Sequence, residues 1–357
     1  MYMEFISKIK CNRSIMLLIL FIVLIISICV FATIGTANIS VSETVKIVIS
    51  RLPYIGSYVD IDKIPQSHFI IILKVRLPRV LLGVLVGAAL SSVGAAFQGM
   101  FKNPMADPYV IGISSGAALG ASIIIISGLN ISLLKLSSVS IGAFLGAMIS
   151  TFIVYFISKI KNKVPINTLL LSGIAVGQLF TAIMSFLMVI HTKDVNKIIF
   201  WTLGSFSSKG WDELIPITVP VLFSIAVLNF FSRDLNVMLT GEESARSMGI
   251  EVERVKLTIL VICAFMTAMV VSVSGIIGFI GLIIPHIIRL VIGPDHRILL
   301  PSSALVGGIF MIFADTIART IISPTEVPVG IITAMFGAPF FLYLLLKKKK
   351  AYYSGVK

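Results

Sequence analysis

The stretch TGEESARSMGIEVERVK, Thr240 to Lys256, is a polar island of 17 residues between two long apolar runs. Thr240 offers a hydroxyl to N-cap a helix. Glu242 and Glu243 then fall in its positive first turn, and Gly249 suits a left-handed stop. Ile250 to Lys256 opens a second element that leads into the next apolar run. A helix of two turns is too short to cross a bilayer, and these charges exclude it from hydrocarbon. The spacing predicts two short elements held at a membrane surface. Two readings fit: an ordinary interfacial loop, or a structured platform against which a soluble partner pushes.

Composition places that island in a membrane protein. Of 357 residues, 57% are hydrophobic and 13% charged, whereas soluble domains carry about a quarter charged residues. Apolar runs of spanning length recur from end to end, which points to one polytopic, all-α membrane domain over residues 1–357. The net charge of +13 does not require a nucleic-acid partner, because basic residues of membrane proteins collect on the cytoplasmic side. No arginine-rich arm interleaved with aromatics suggests nucleic acid as a partner. Cys11, Cys29 and Cys263 form no pair outside the membrane, so disulfides carry no weight.

Working outward from the island, span six covers about 213–231 and span seven about 255–273. The first span is Ile15 to Ile34, preceded by Lys8, Lys10 and Arg13; it is too long for a signal-peptide core and reads as an uncleaved helix after a short cytoplasmic N-terminus (1–14). Residues 36–75 form an outer segment broken by Pro53, Gly56 and Pro65, with a surface helix from Ser42 to Arg51. Spans two to five are read at about 77–101, 110–128, 138–158 and 166–190, and spans eight to ten at about 276–292, 300–319 and 328–346. A basic tail (347–357) closes the chain. Ten spans place both termini inside, with 18 of the 29 Lys and Arg inside and 11 outside. Spans two to five and seven to ten enter from opposite sides, a parity that allows inverted four-helix repeats. Small residues recur at contact spacing: Gly83 and Gly87, Gly112, Gly116 and Gly120, Gly142 and Gly146, Gly173 and Gly177.

Signals for covalent chemistry are weak. Gly112-Ile-Ser-Ser-Gly116 matches G-x-S-x-G but opens a membrane helix with no strand before it. His68, His191, His286 and His296 are scattered, with no H-E-x-x-H or Cys/His cluster, so no metal or other cofactor is expected. No phosphate-binding G-x-x-x-x-G-K-[ST] loop occurs. His286, after Pro285, either has a gating function within the membrane or bonds a carbonyl that the proline frees. Arg76 and Arg79 lie at the outer mouth of span two, and Arg319 at the outer end of span nine, four residues after Asp315. Such guanidinium groups snorkel to lipid phosphate, pair locally (Asp315 with Arg319), or dock carboxylates of a partner.

Four blocks carry a family resemblance. They are RLPRVLLGVLVGAALSSVGAAFQGMFKNPMADPYVIGISSGAALGA (Arg76–Ala121), TGEESARSMGI (Thr240–Ile250), SGIIGFIGLIIPHIIRLVIGPDHRILLP (Ser274–Pro301) and ADTIARTIISPTEVPVGIITAMFGAPFF (Ala314–Phe341). In this order they resemble the iron–siderophore, heme and cobalamin permeases of ABC importers, over about Val75 to Leu346. The resemblance implies a ten-helix subunit in a bacterial cell membrane, paired with a second copy or a paralogous permease. Two ATP-binding subunits sit below it and one extracytoplasmic solute-binding protein docks above. Carried over residue by residue, Arg76, Arg79 and Arg319 become docking groups for the binding protein. The coupling helices at 240–250, with Thr240, Gly241, Glu242, Glu243, Ala245, Arg246 and Gly249, rest on the ATPase.

The expected function is import of a bulky iron chelate, a siderophore complex first and heme or cobalamin next, driven by ATP hydrolysis in a partner. A secondary transporter or channel is the alternative of another class. It requires acidic residues within the spans for ion coupling, and Asp315, near an outer end, stands almost alone. An intramembrane enzyme requires paired carboxylates or histidines at one depth, which the spans lack.

Overall fold

The computed structural model describes residues 13–353 apart from 36, 38, 52–53, 55–59, 61–63, 131–134 and 162. The expected basic residues before Arg13, the breakers Pro53 and Gly56, and the side chains of the 347–357 tail lie outside the described residues. What is described is helical, with one isolated bridge between Ile160 and Lys163.

In chain order the helices are α1 (Arg13–Thr33), α2 (Val41–Ile49), α3 (Gln66–Met100), α4 (Ile113–Ser127), α5 (Ser138–Ser158), α6 (Ile166–Ile190) and α7 (Val195–Thr202). There follow α8 (Trp211–Phe230), α9 (Ser232–Leu239), α10 (Glu242–Ser247), α11 (Val252–Ser274), α12 (Ile280–Ile292), α13 (His296–Thr320) and α14 (Val329–Tyr353). Among them α1, α3, α5, α6, α8, α11, α13 and the Val329–Leu346 part of α14 are long and apolar enough to span a bilayer; α4 and α12 are shorter apolar helices.

The axis of the bundle is α3, buried along most of its length, with α13, α12, α11 and α8 packed around it. It begins eleven residues before the expected start at 77, so the expected outer mouth of span two lies inside a continuous helix. Pro78 has no N–H to give to a helical carbonyl, and the chain absorbs this in a wide π turn over Ile71–Arg76. Two of the polar residues that disguise this start, His68 and Arg76, find partners within the chain. His68 lies 3.3 Å from Glu43 of α2, and Ser40 and Glu43 close a capping box at the start of α2.

The small-residue spacing brings helices together at backbone distance. A Cβ on Gly120 would run into the carbonyl oxygen of Gly142, and one on Gly116 into that of Gly146, which sets the α4–α5 crossing. Gly87 of α3 meets Gly307 of α13 in the same way.

The stretch expected as span eight is a shorter helix than read. Between α11 and α12, residues 275–279 leave the helical path, so the helix starts at Ile280 rather than near 276. Non-helical backbone between apolar helices needs protein groups to satisfy it, and Tyr109 does so here for Ile277. Its hydroxyl donates to the Ile277 carbonyl (3.0 Å) and accepts from the Ile277 N–H (3.2 Å).

Candidate functional site

The polar island folds as a platform. In α9, Leu235 and Met238 lie buried on one face and hold the helix against the bundle. Thr240 ends this helix instead of capping the next: its hydroxyl donates to the Val237 carbonyl (2.8 Å), and Gly241 occupies the N-cap position of α10. Glu242 and Glu243 fall in the first turn of α10 and Arg246 in its last, which suits the helix dipole. Gly249 takes φ +84°, and the Ile250 N–H bonds the Ala245 carbonyl (3.0 Å), so the chain reverses into α11. The second short element expected from Ile250 to Lys256 is thus the first turn of α11 itself.

Ion pairs lash α10 to that turn. Lys256 donates to Glu242 at 2.5 Å, and Arg246 lies 3.3 Å from Glu253 and 3.7 Å from Glu242. The Lys256 ammonium holds the Glu242 carboxyl below its usual range, over the opposing effect of burial. Ala245, one of the residues expected to rest on the ATPase, is wholly buried within its own chain. The face left outside is Glu243, Arg246, Ser247, Met248 and Gly249. Met248 is 65% exposed, a large apolar side chain at the tip of a charged turn.

At the opposite end, the three arginines lie beneath the surface: Arg76, Arg79 and Arg319 are each under a tenth exposed. Arg79 binds Asp315 through two nitrogens and Glu326 through a third, at 2.8 Å. Asp315 therefore pairs with Arg79, not with Arg319 one turn away. Burial alone would raise Glu326, but the Arg79 guanidinium holds it below the usual carboxylate range. Arg76 reaches back to the carbonyls of Thr33 (2.5 Å) and Ala37 (2.7 Å) beyond the end of α1. Arg319 donates to the Phe31 carbonyl and to the Thr316 hydroxyl, while its buried Nε has no hydrogen-bond partner among the described residues. These groups line a cavity of about 220 Å³ with Glu326. A larger cavity at the same end, about 620 Å³, is lined by Trp201, Ser205, Lys209, Ser274, Thr325 and Glu326.

Pro285 is buried in α12, and His286 faces an apolar cavity of about 390 Å³ with Leu282, Phe340 and Leu344. Among the described residues no three His, Cys, Asp or Glu side chains gather closely enough to hold a metal ion. Two polar groups in apolar helices escaped the sequence reading. Gln98 in α3 donates to the Leu282 carbonyl (3.0 Å) and accepts from Arg289 (2.8 Å), tying α3 to α12. A glutamine and an arginine within spanning segments were the available signals. Tyr109 carried no such signal, because its partner is backbone.

The profile of the FecCD transport family matches residues 19–347. The cobalamin import system permease protein of Halobacterium salinarum is 46% identical over 79% of this chain and 75% of its own length. The hemin transport system permease protein of Yersinia pestis is 40% identical over 78% of this chain and 84% of its own. An Fe(3+)-citrate import system permease protein of Bacillus subtilis is 34% identical over 94% and 96%. Among solved structures, an inward-facing transporter described as a metal-chelate type ABC transporter superposes with a TM-score of 0.80. It is 30% identical and covers 94% of this chain and 99% of that one. The chain belongs to the FecCD transport family and is a membrane permease subunit of an ABC importer, with ATP hydrolysis left to a separate subunit.

Proposed function

We propose that the chain imports a bulky metal chelate across the cell membrane as one of two permease subunits, either two copies of itself or a pair of paralogues. An iron chelate, of the siderophore type, is the first candidate. Heme and cobalamin are the alternatives, and the named relatives carry hemin, Fe(3+)-citrate and cobalamin. In this reading α4 and α12 complete ten membrane crossings, both termini face the cytoplasm, and α3–α6 and α11–α14 form inverted repeats.

The observation that carries the reading is the α10 platform. Six helical residues are bound to the head of α11 by the Glu242–Lys256 and Arg246–Glu253 pairs, and they present Met248 and Glu243 outward. A rigid, charged turn with one exposed apolar tip suits the cleft of two ATP-binding subunits. Closure of those subunits on ATP would displace α10 and, through α9 and α11, the bundle. Docking of a solute-binding protein on the outer face stays a proposal for Arg76, Arg79 and Arg319. Arg319, which lines the 220 Å³ cavity, supports it best, because it forms no ion pair among the described residues, whereas Arg79 is already committed to two carboxylates.

Uptake into proteoliposomes tests the substrate. A ⁵⁵Fe-labelled hydroxamate siderophore, hemin and cobalamin are supplied with the ATPase subunits and the binding protein. ATP-dependent accumulation of the iron chelate, not competed by the other two, supports the first candidate. Accumulation of cobalamin or hemin alone replaces it.

A further inference from the structure

The turn between α12 and α13, Gly293-Pro294-Asp295-His296, has no part in the platform as described so far, yet it meets that platform at one residue. Asn236, in the middle of α9, donates from Nδ2 to Asp295 Oδ1 at 2.7 Å. Its Oδ1 accepts the backbone N–H of His296 at 2.8 Å and lies 2.9 Å from His296 Nδ1. The backbone N–H can only donate, so the orientation of the Asn236 amide follows, and His296 Nδ1 must carry a proton to meet the same oxygen. Each half of the amide is thereby used.

The groups around this contact belong to different helices. Asp295 N-caps α13 by accepting from the Arg297 N–H (3.0 Å) and pairs with Arg13 at the start of α1 (3.1 Å). The His296 ring is fully buried with its Nε2 against Gly99, where a Cβ would overlap it, near the end of α3. The contact thus ties α9 to the first turn of α13 and the last turn of α3, two helices that also meet at Gly87 with Gly307 and at Arg79 with Asp315. Leu235 and Met238 give α9 a buried anchor, but apolar contacts of that kind permit sliding, whereas two directed hydrogen bonds do not.

We propose that Asn236 is the positioning residue that passes movement of α10 into α3 and α13. The proposal rests on the coupling reading of α10 given above.

The test uses the permease assembled with its ATPase subunits in proteoliposomes, with the native cysteines replaced and Thr325→Cys as a reporter in the cavity lined by Trp201 and Lys209. The measured quantity is the change in thiol modification rate by an impermeant reagent between the nucleotide-free and ATP–vanadate-trapped states. Asn236→Asp sets a carboxylate against Asp295, and Asn236→Ala removes both contacts without adding charge. Each is expected to reduce the nucleotide-driven change about fivefold or more, the lower end of ordinary coupling between sites, while the ATPase subunits still co-purify. The swap N236D/D295N, which returns a donor opposite an acceptor, is expected to restore it. A normal response in Asn236→Ala, an unrestored response in the swap, or loss of the ATPase subunits from both single variants overturns the proposal. Met248→Asp separates this from the parent reading. If it leaves ATPase binding and the response intact, α10 is not the coupling element. If it abolishes the response while Asn236→Ala does not, only the role of Asn236 falls.

Discussion

Arg79 in α3 and Asp315 in α13, 236 residues apart in the chain, form a buried two-nitrogen ion pair, with Nε 3.0 Å from Oδ2 and Nη2 2.8 Å from Oδ1. Glu326 completes the shell at 2.8 Å and draws the loop after α13 onto the head of the bundle. Removing one partner of such a pair strands a charge. Arg79→Met leaves the buried Asp315 without its ion-pair partner and is expected to destabilise the folded permease by about 3–5 kcal/mol, whereas Arg79→Met with Asp315→Leu recovers most of the loss. Thermal unfolding in detergent measures both, and equal losses in the single and double variants would show that the pair is not what the site depends on.

The Glu242–Lys256 contact gives a pH signature. The folded-state value of Glu242 is lowered, so its contribution is fully present above its unfolded value and is lost as pH falls through the folded one. Wild-type platform stability is therefore expected to decline on acidification in a component that Glu242→Gln removes. Hydrogen exchange of the α10 amides across pH 3–7 reads this directly, and a Gln variant with the same pH profile contradicts it.

Ala245 is enclosed by its own chain. Ala245→Leu is expected to overpack the platform and cost about 1–3 kcal/mol of local stability. The loss should appear in the isolated permease as faster proteolysis near Gly249. A variant that is defective only when the ATPase is present would instead place this side chain in an intersubunit cleft.

At the end proposed to receive the solute-binding protein, Arg319→Glu is expected to weaken docking by about 2 kcal/mol, roughly thirtyfold in Kd, with the effect shrinking in high salt. Surface plasmon resonance on the folded, reconstituted permease measures it. Unchanged affinity would assign Arg319 to holding the end of α1 through the Phe31 carbonyl.

Sidedness has its own check. Lys161 is expected to face the cytoplasm and Lys209 the outside, by the distribution of basic residues. Cysteine at 209 should react with an impermeant reagent added to whole cells, and cysteine at 161 should not. The reverse pattern overturns the orientation.

Span positions were legible wherever apolar length alone decides them: α5 and α6 begin and end where the hydrophobic runs at 138–158 and 166–190 do. The Gly-rich stripes were legible too, since small residues at four-residue spacing have few uses in lipid other than close approach. Legibility failed where polar groups are satisfied at a distance. The Gln66–Arg76 part of α3 reads as surface because Glu43, Thr33 and Ala37, which hold His68 and Arg76, are invisible to local periodicity. Arg79 reads as an exposed guanidinium until Asp315 is placed beside it. Thr240 reads as an N-cap because nothing local reveals that α9 claims its hydroxyl first.

The central claim is that the turn at the end of α10 meets a separate ATPase. A cysteine at Met248 in the assembled, ATP-hydrolysing complex, probed with a short bifunctional thiol reagent, tests it most directly. Capture of the ATPase subunit from position 248, with a yield that changes on ATP–vanadate trapping, and no capture from an outer cysteine at Lys209, is the expected result. An active complex in which position 248 captures no ATPase subunit in either nucleotide state contradicts the account.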